Sequence, residues 1–80
     1  MNTDKQYTLE LMEHLLALNT PDEMEHALRA LLTSAEFSDV TKRLQIFKML
    51  RQGVPQRQIA ETLGVGIATV TRGSHALKAE

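Results

Sequence analysis

Helix start and stop signals recur along this sequence and divide it into five helical segments. Two capping boxes, Thr20-Pro21-Asp22-Glu23 and Thr33-Ser34-Ala35-Glu36, each pair a threonine with a glutamate three residues later, so that both can satisfy free backbone N–H groups. Gly53 suits a left-handed helix end, and Gly64 a turn with positive φ. Since no alternating apolar pattern is long enough for a strand, we predict an all-α chain. The expected helices are about Asp4–Leu18, one from Pro21, one from the second capping box to Gly53, Gln56–Leu63, and Ile67 to about Lys78.

The chain has 80 residues, which corresponds to a single domain with a thin core. We expect residues 1–53 to form dimerisation helices and residues 55–78 to form a separate motif. The first helix carries a wide apolar surface that includes Tyr7, Leu11 and Leu15. Because the chain has no cysteine, no disulfide can stabilise it, and a second copy of the chain is the expected source of further burial.

Charge is distributed unevenly along the chain. Residues 1–40 hold two basic and eight acidic residues, a net charge of −6, whereas residues 41–80 hold seven basic and two acidic residues, a net charge of +5. The net charge of −1 for the whole chain therefore conceals a basic second half. This asymmetry predicts that the second half faces an anion and that the first half has another role.

The sequence contains no residue pattern that indicates metal binding, catalysis, secretion or membrane insertion. The three histidines are scattered, so no metal site is expected, and no nucleophile–base set or phosphate loop predicts an enzyme or a cofactor. No basic start followed by an apolar run indicates a signal peptide, and no apolar run is long enough to cross a membrane. We expect a cytoplasmic protein, with which the absence of cysteine is compatible.

Residues 55–78 have the pattern of a helix-turn-helix, the motif that places its second helix in the major groove of DNA. The residues that would point outward near the start of that helix are Ala68, Thr69, Thr71 and Arg72, and threonine and methyl groups there can contact bases. Arg72 could instead simply bind a phosphate. Gln56 and Arg57 begin the first helix, whose free N–H groups can hold a phosphate. The spacing alone favours a helical hairpin in an ordinary bundle, and the identities of the residues reverse that preference in favour of DNA.

The segment PQRQIAETLGVGIATVTRGSHALK, residues 55–78, resembles the helix-turn-helix of the tryptophan operon repressor family, above all in GIATVTRGS. The resemblance extends over roughly residues 30–78. It implies an intertwined homodimer that binds double-stranded operator DNA as a transcriptional repressor, with L-tryptophan as corepressor. The Trp repressor is a standard example of both this motif and water-mediated operator contacts.

The resemblance also implies a ligand site. Arg72 would hold the tryptophan carboxylate, the indole would lie between Arg72 and Arg43, and Gly73 would leave room for the ring. Backbone carbonyls of Leu32 and Thr33 from the partner chain would receive the ammonium group. A planar guanidinium suits both tasks, since it pairs with carboxylates and stacks on aromatic faces.

The DNA-contacting positions implied by the resemblance fall into two groups. Two of these residues begin the first helix of the motif. The others surround the start of its second helix, which would read the DNA, and His75 lies one turn further along that helix. The residues are Gln56, Arg57, Gly66, Ile67, Ala68, Thr69, Thr71 and His75. Two departures concern ligand and phosphate binding: Ala76 stands where the best-known members have a serine, and Ala60 where a lysine is common. The sequence stops at Glu80, where longer members continue into a sixth helix.

Three functions follow from these observations. The first is a tryptophan-dependent repressor. The second is a ligand-independent DNA binder of the same fold, which Ala60 and Ala76 favour. The third is a protein-interaction bundle that does not touch DNA, which the acidic first half favours.

Overall fold

The computed structural model describes residues 3–79, and these residues form five α-helices with no strand. The helices are α1 (Thr3–Leu16), α2 (Pro21–Leu31), α3 (Ser34–Arg51), α4 (Gln56–Leu63) and α5 (Ile67–Lys78). The predicted all-α class is confirmed, and the bounds of α4 and α5 agree with those expected. None of the helices within residues 3–79 is both long enough and apolar enough to cross a bilayer.

The end of α1 was predicted two residues too late. The N–H of Leu18 bonds to the carbonyl of Leu15, so the chain tightens into a turn after Leu16. The Glu23 carboxylate then accepts from the N–H of Asn19 at 2.8 Å and fixes the chain before α2. Glu23 therefore reaches one residue further back than a standard capping box, in which it would receive the N–H of Thr20.

Both predicted threonine caps are present. Thr20 Oγ1 accepts from the Glu23 N–H at 3.1 Å, and Thr33 Oγ1 accepts from the Glu36 N–H at 3.1 Å. The second box is reciprocal, since Glu36 Oε1 accepts from the Thr33 N–H at 2.8 Å. Hydrogen bonding of Thr33 to the Glu36 carboxylate, first from its backbone N–H and then from its side chain, lowers the pKa of Glu36 below its ordinary value of 4.5.

Two glycines with positive φ end α3 and α4. Gly53 has φ of 82°, its N–H bonds to Leu50, and the N–H of Val54 bonds back to Met49, which together form a Schellman motif. Gly64 has φ of 68° and is followed by an N–H···O bond from Val65 to Ala60. Both turns need a residue without a Cβ, as the sequence predicted.

The chain divides into two compact units, residues 1–37 and residues 38–80, with the boundary inside α3. The core of the second unit is centred on three side chains that are almost fully buried: Ile46 of α3, Ile59 of α4 and Val70 of α5. Half-buried apolar residues surround them, namely Met49, Leu50, Val54, Ala60, Leu63 and Val65. The helix-turn-helix α4–α5 therefore packs on the second part of α3.

The first unit buries very little of its apolar surface. No described residue of α1 is buried, and Ala27 is the one buried residue of α2. Leu16 is 83% exposed and Tyr7 is 61% exposed. Leu9, Leu11, Met12 and Leu31 are also exposed. Arg29 bonds to Glu25 and lies 4.1 Å from the centre of the Phe37 ring, which orders the polar side of α2.

Candidate functional site

A cleft of about 720 Å³ lies within the second unit, between α3, α5 and the turn before α5. The lining residues of α3 recur at intervals of three and four residues, and so do those of α5, so each helix presents one face to the cleft. The lining residues are Asp39, Lys42, Arg43, Ile46, Phe47, Val65, Gly66, Thr69, Arg72, Gly73 and Ala76. Charged side chains and apolar side chains thus share one concave surface, as in many small-molecule sites.

The charged part of the cleft holds three cations and one carboxylate: Lys42, Arg43, Arg72 and Asp39. Within residues 3–79, no salt bridge joins Asp39 to any of these cations. Arg43, Arg72 and Asp39 are exposed and Lys42 is half-buried, so these groups remain open to a ligand. The excess of positive charge favours a ligand that carries a carboxylate or a phosphate.

The apolar part of the cleft is set by a close contact between α3 and α5. A Cβ atom added at Gly73 would lie 2.8 Å from Ile46 Cγ2 and 3.8 Å from Phe47 Cε1. The first of these distances is shorter than carbon atoms tolerate, so α5 approaches α3 this closely because position 73 is glycine. Gly73 therefore has a packing role in the cleft that the sequence did not predict.

The structure brings together three of the five residues predicted to bind tryptophan. Arg43, Arg72 and Gly73 all line the cleft, although Arg43 is 29 residues from Arg72 in sequence. Leu32 and Thr33 lie in the first unit and are not lining residues. There the Leu32 N–H bonds to Leu28, and Thr33 caps α3.

Helix α5, the helix predicted to read DNA, begins at the edge of the same cleft. Gly66 is its N-cap residue, and no side chain caps the free N–H groups of the first turn. Ile67 and Ala68 are exposed, which suits contact with DNA. Thr69 was predicted to point outward, but it is half-buried and lines the cleft. It therefore faces the candidate ligand site.

Two of the predicted DNA-contacting side chains contact each other. Thr71 Oγ1 lies 2.9 Å from Gln56 Oε1 and 3.0 Å from the carbonyl oxygen of Ile67. A hydroxyl has one proton, so it donates to one of these oxygens at a time. Both Gln56 and Thr71 are half-buried, and their contact joins the start of α4 to α5.

Arg57 and His75 complete the predicted DNA-contacting set, and both are exposed. Arg57 lies in the first turn of α4, where Pro55 is the N-cap residue and no side chain caps the helix. The N–H groups of that turn and the guanidinium are therefore available to an anion. Among the described residues, no group of three or more His, Asp or Glu side chains has the arrangement of a metal site.

Sequence reasoning missed five residues that line the cleft: Asp39, Lys42, Ile46, Phe47 and Val65. The α3 residues among them had a detectable signal, because positions 39, 42, 43 and 46 lie on one helix face. Val65 had no such signal, since its position depends on the turn between α4 and α5.

Comparisons with known proteins agree with the features of this unit. The sequence pattern of the family described as Trp repressor protein matches residues 6–80. The chain belongs to the Trp repressor family. It is 40% identical over 77 residues to a Trp operon repressor homolog of Vibrio vulnificus (strain YJ016), a match that covers 95% of this chain and 72% of that protein.

Other relatives carry the same description. The chain is 39% identical over 72 residues to a Trp operon repressor homolog of Vibrio atlanticus (strain LGP32), covering 89% of the chain and 74% of the relative. It is 44% identical over 66 residues to one of Aliivibrio fischeri (strain MJ11), covering 79% and 61%. No solved structure matches the chain significantly. The chain is accordingly a Trp-repressor-like regulator, a member of a family of transcription regulators.

Proposed function

We propose that the chain is a sequence-specific DNA-binding repressor that acts as a homodimer and is activated by L-tryptophan. One observation carries this proposal: Arg43, Arg72 and Gly73 line a cleft that extends to Gly66 and Thr69 at the start of the reading helix. A ligand in this cleft would contact both α3 and the end of α5 that enters the major groove. The names of the relatives, Trp operon repressor homologs, support the same ligand.

The chemistry of the cleft fits tryptophan. Its carboxylate would pair with the Arg72 guanidinium, which offers two parallel N–H donors. Its indole would stack between the guanidinium planes of Arg72 and Arg43, an arrangement that combines cation–π attraction with the exclusion of water. Phe47 and Ile46 supply apolar contacts at the base of the cleft.

Tryptophan would act on DNA affinity through the position of α5. A ligand shifts an equilibrium between two conformations only by its difference in affinity for them. Because the cleft includes residues of α3 and α5, a bound ring would favour one orientation of the reading helix. We therefore expect tryptophan to bind more tightly to the conformation that fits DNA.

The DNA-reading surface would consist of exposed groups at the starts of α4 and α5. Arg57 and the free N–H groups of α4 would hold phosphates, while Ile67 and Ala68 would contact base edges in the major groove. The hydrogen bond between Thr71 and Gln56 would hold the first turn of α4 in a fixed position relative to α5. His75, one turn further along α5, would reach the DNA backbone.

Exposed apolar surface in the first unit and on α3 supports a homodimer. Leu16 and Tyr7 are mostly exposed, and Val40 and Leu44 of α3 are about half exposed. Large apolar side chains in such number are costly in water and are typical of a helix covered by a partner. As the resemblance implies, the partner's carbonyls at Leu32 and Thr33 would complete the ammonium site.

Calorimetric titration of the full chain with L-tryptophan tests the ligand directly. We expect binding by the wild-type chain, and a loss of at least about tenfold in affinity for Arg72→Ala, the scale of a charge-assisted pair. Lys78→Ala is the matched control, because it removes a cation from the same helix at a residue that does not line the cleft.

Each result has a distinct meaning. A folded wild-type chain that gives no heat with tryptophan would contradict the ligand assignment. If the chain then still bound DNA, the ligand-independent alternative would hold, and Ala76, which lines the cleft without a polar side-chain group, would be the first residue to examine. Equal weakening by Arg72→Ala and Lys78→Ala would indicate that Arg72 serves only as a general positive charge.

A further inference from the structure

We infer that Asp39 is a specificity residue of the cleft, where its carboxylate accepts the ammonium group of an α-amino acid. The inference rests on the proposed function, because it assigns a role to one more residue of the same site. It gives the cleft a means within the chain itself to distinguish an amino acid from a simple carboxylic acid.

The position of Asp39 carries this inference. Among residues 3–79 it is the single carboxylate on the cleft lining, and it lies one helical turn from Arg43 on the same face of α3. Residues four apart on a helix are neighbours, so the two side chains have the spacing of a common ion pair. The structure nevertheless shows no salt bridge between them, although it shows one between Glu25 and Arg29 at the same spacing.

An open carboxylate beside three cations creates a cleft with two signs of charge. A zwitterion suits such a cleft, because its carboxylate can pair with Arg72 while its ammonium group pairs with Asp39. A ligand with a carboxylate alone would leave Asp39 unpaired and facing a like charge. Ala76 on the opposite wall has no side-chain oxygen with which to accept the ammonium group, so the Asp39 carboxylate is the charged side-chain acceptor of the lining.

Two ligands that differ by the ammonium group alone test this role. L-Tryptophan and indole-3-propionate share the indole and the carboxylate, and the second lacks the amine. We expect Asp39→Asn to weaken tryptophan binding by about fivefold, the upper range for an exposed ion pair. Binding of indole-3-propionate should stay unchanged or become tighter, since a nearby negative charge has been removed.

Two further variants separate the role of Asp39 from general effects. Asp39→Glu keeps the carboxylate and should retain most of the preference for tryptophan. Asp22→Asn makes the same change of charge in α2, at a residue that does not line the cleft, and should leave both affinities unchanged. Circular dichroism establishes that each variant is folded.

The outcomes are distinguishable. A preference for tryptophan over indole-3-propionate that falls in Asp39→Asn and returns in Asp39→Glu supports the inference. Equal changes for the two ligands, or no change for either, would overturn it and leave the proposed function intact. A wild-type chain that binds neither ligand would overturn the proposed function, and the inference with it.

Discussion

A Cβ atom at Gly73 would lie 2.8 Å from Cγ2 of Ile46, so the contact between α5 and α3 depends on the glycine. Ile46 is almost fully buried in the core of the helix-turn-helix unit, and Gly73 lines the candidate ligand cleft. The same contact therefore links the stability of this unit to the shape of the cleft. Changes at these two positions should affect both properties together.

Gly73→Ala should destabilise the chain by about 1–3 kcal/mol, the usual cost of inserting a methyl group into a packed interior. It should also weaken tryptophan binding, because α5 must move away from α3. Urea unfolding at a fixed protein concentration measures the first effect. Gly66→Ala is the matched control for stability, since a Cβ there meets no atom within 4 Å and Gly66 has an ordinary φ of −72°.

Adding Ile46→Leu to Gly73→Ala should restore part of the stability, because leucine has no methyl group at the position of Cγ2. The double variant should then be more stable than the sum of the single changes predicts. If the two changes simply added, the contact between Gly73 and Ile46 would not determine the approach of α5.

The hydrogen bond between Thr71 and Gln56 should couple the starts of α4 and α5. Thr71→Val removes the hydroxyl and keeps the shape, and we expect a loss of about 1 kcal/mol in stability. A double-mutant cycle with Gln56→Ala should give a coupling energy of about 0.5–1.5 kcal/mol. Thr62→Val, at an exposed position of α4, is the matched control and should have little effect. A coupling energy near zero would show that the two side chains act independently.

Glu36 should give the chain a dependence of stability on acid pH. Its pKa in the folded chain is lowered by hydrogen bonds from Thr33, so its contribution to stability is present above the unfolded value of 4.5 and is lost as pH falls through the folded value. Thr33→Ala removes the side-chain hydrogen bond and keeps the larger backbone one, so it should raise the pKa of Glu36 part of the way toward 4.5. An NMR titration of the carboxyl carbon measures this shift. Glu23, which interacts with a different threonine, serves as the internal reference. No change in the pKa of Glu36 would contradict the role of the second capping box.

Leu16→Ser should weaken the proposed homodimer. Leu16 is 83% exposed in the single chain, so the serine costs little there, whereas a buried leucine contributes about 2 kcal/mol at an interface. Sedimentation should therefore show a dissociation constant raised by about thirtyfold per side chain lost. Gln6→Ser, on the same helix, should leave the constant unchanged. If the wild-type chain sedimented as a monomer at high concentration, the dimer would be excluded.

Local signals in the sequence predicted much of the fold. The two threonine caps, the positive φ of Gly53 and Gly64, and the bounds of α4 and α5 all depend on neighbouring residues, so short patterns determine them. The end of α1 was wrong because the Glu23 carboxylate holds the N–H of Asn19, an interaction that an apolar pattern does not reveal.

The cleft was predicted less completely, because it depends on how α3 packs against α5. Arg43 and Arg72 were named from a family resemblance and do lie together, whereas Asp39 and Lys42 were not named as site residues. The packing role of Gly73 depends on Ile46, which is 27 residues away in sequence. A local sequence pattern spans too few residues to reveal a contact between positions so far apart in sequence.

The central claim is that tryptophan controls DNA binding through this cleft. Its most direct test is the affinity of the wild-type chain, with and without L-tryptophan, for a duplex that the chain selects from a random-sequence pool with tryptophan present. Our account predicts that tryptophan tightens binding at least about tenfold, a typical coupling between two sites, and that Arg72→Ala abolishes the difference. Equal affinity of the wild-type chain with and without tryptophan would contradict it.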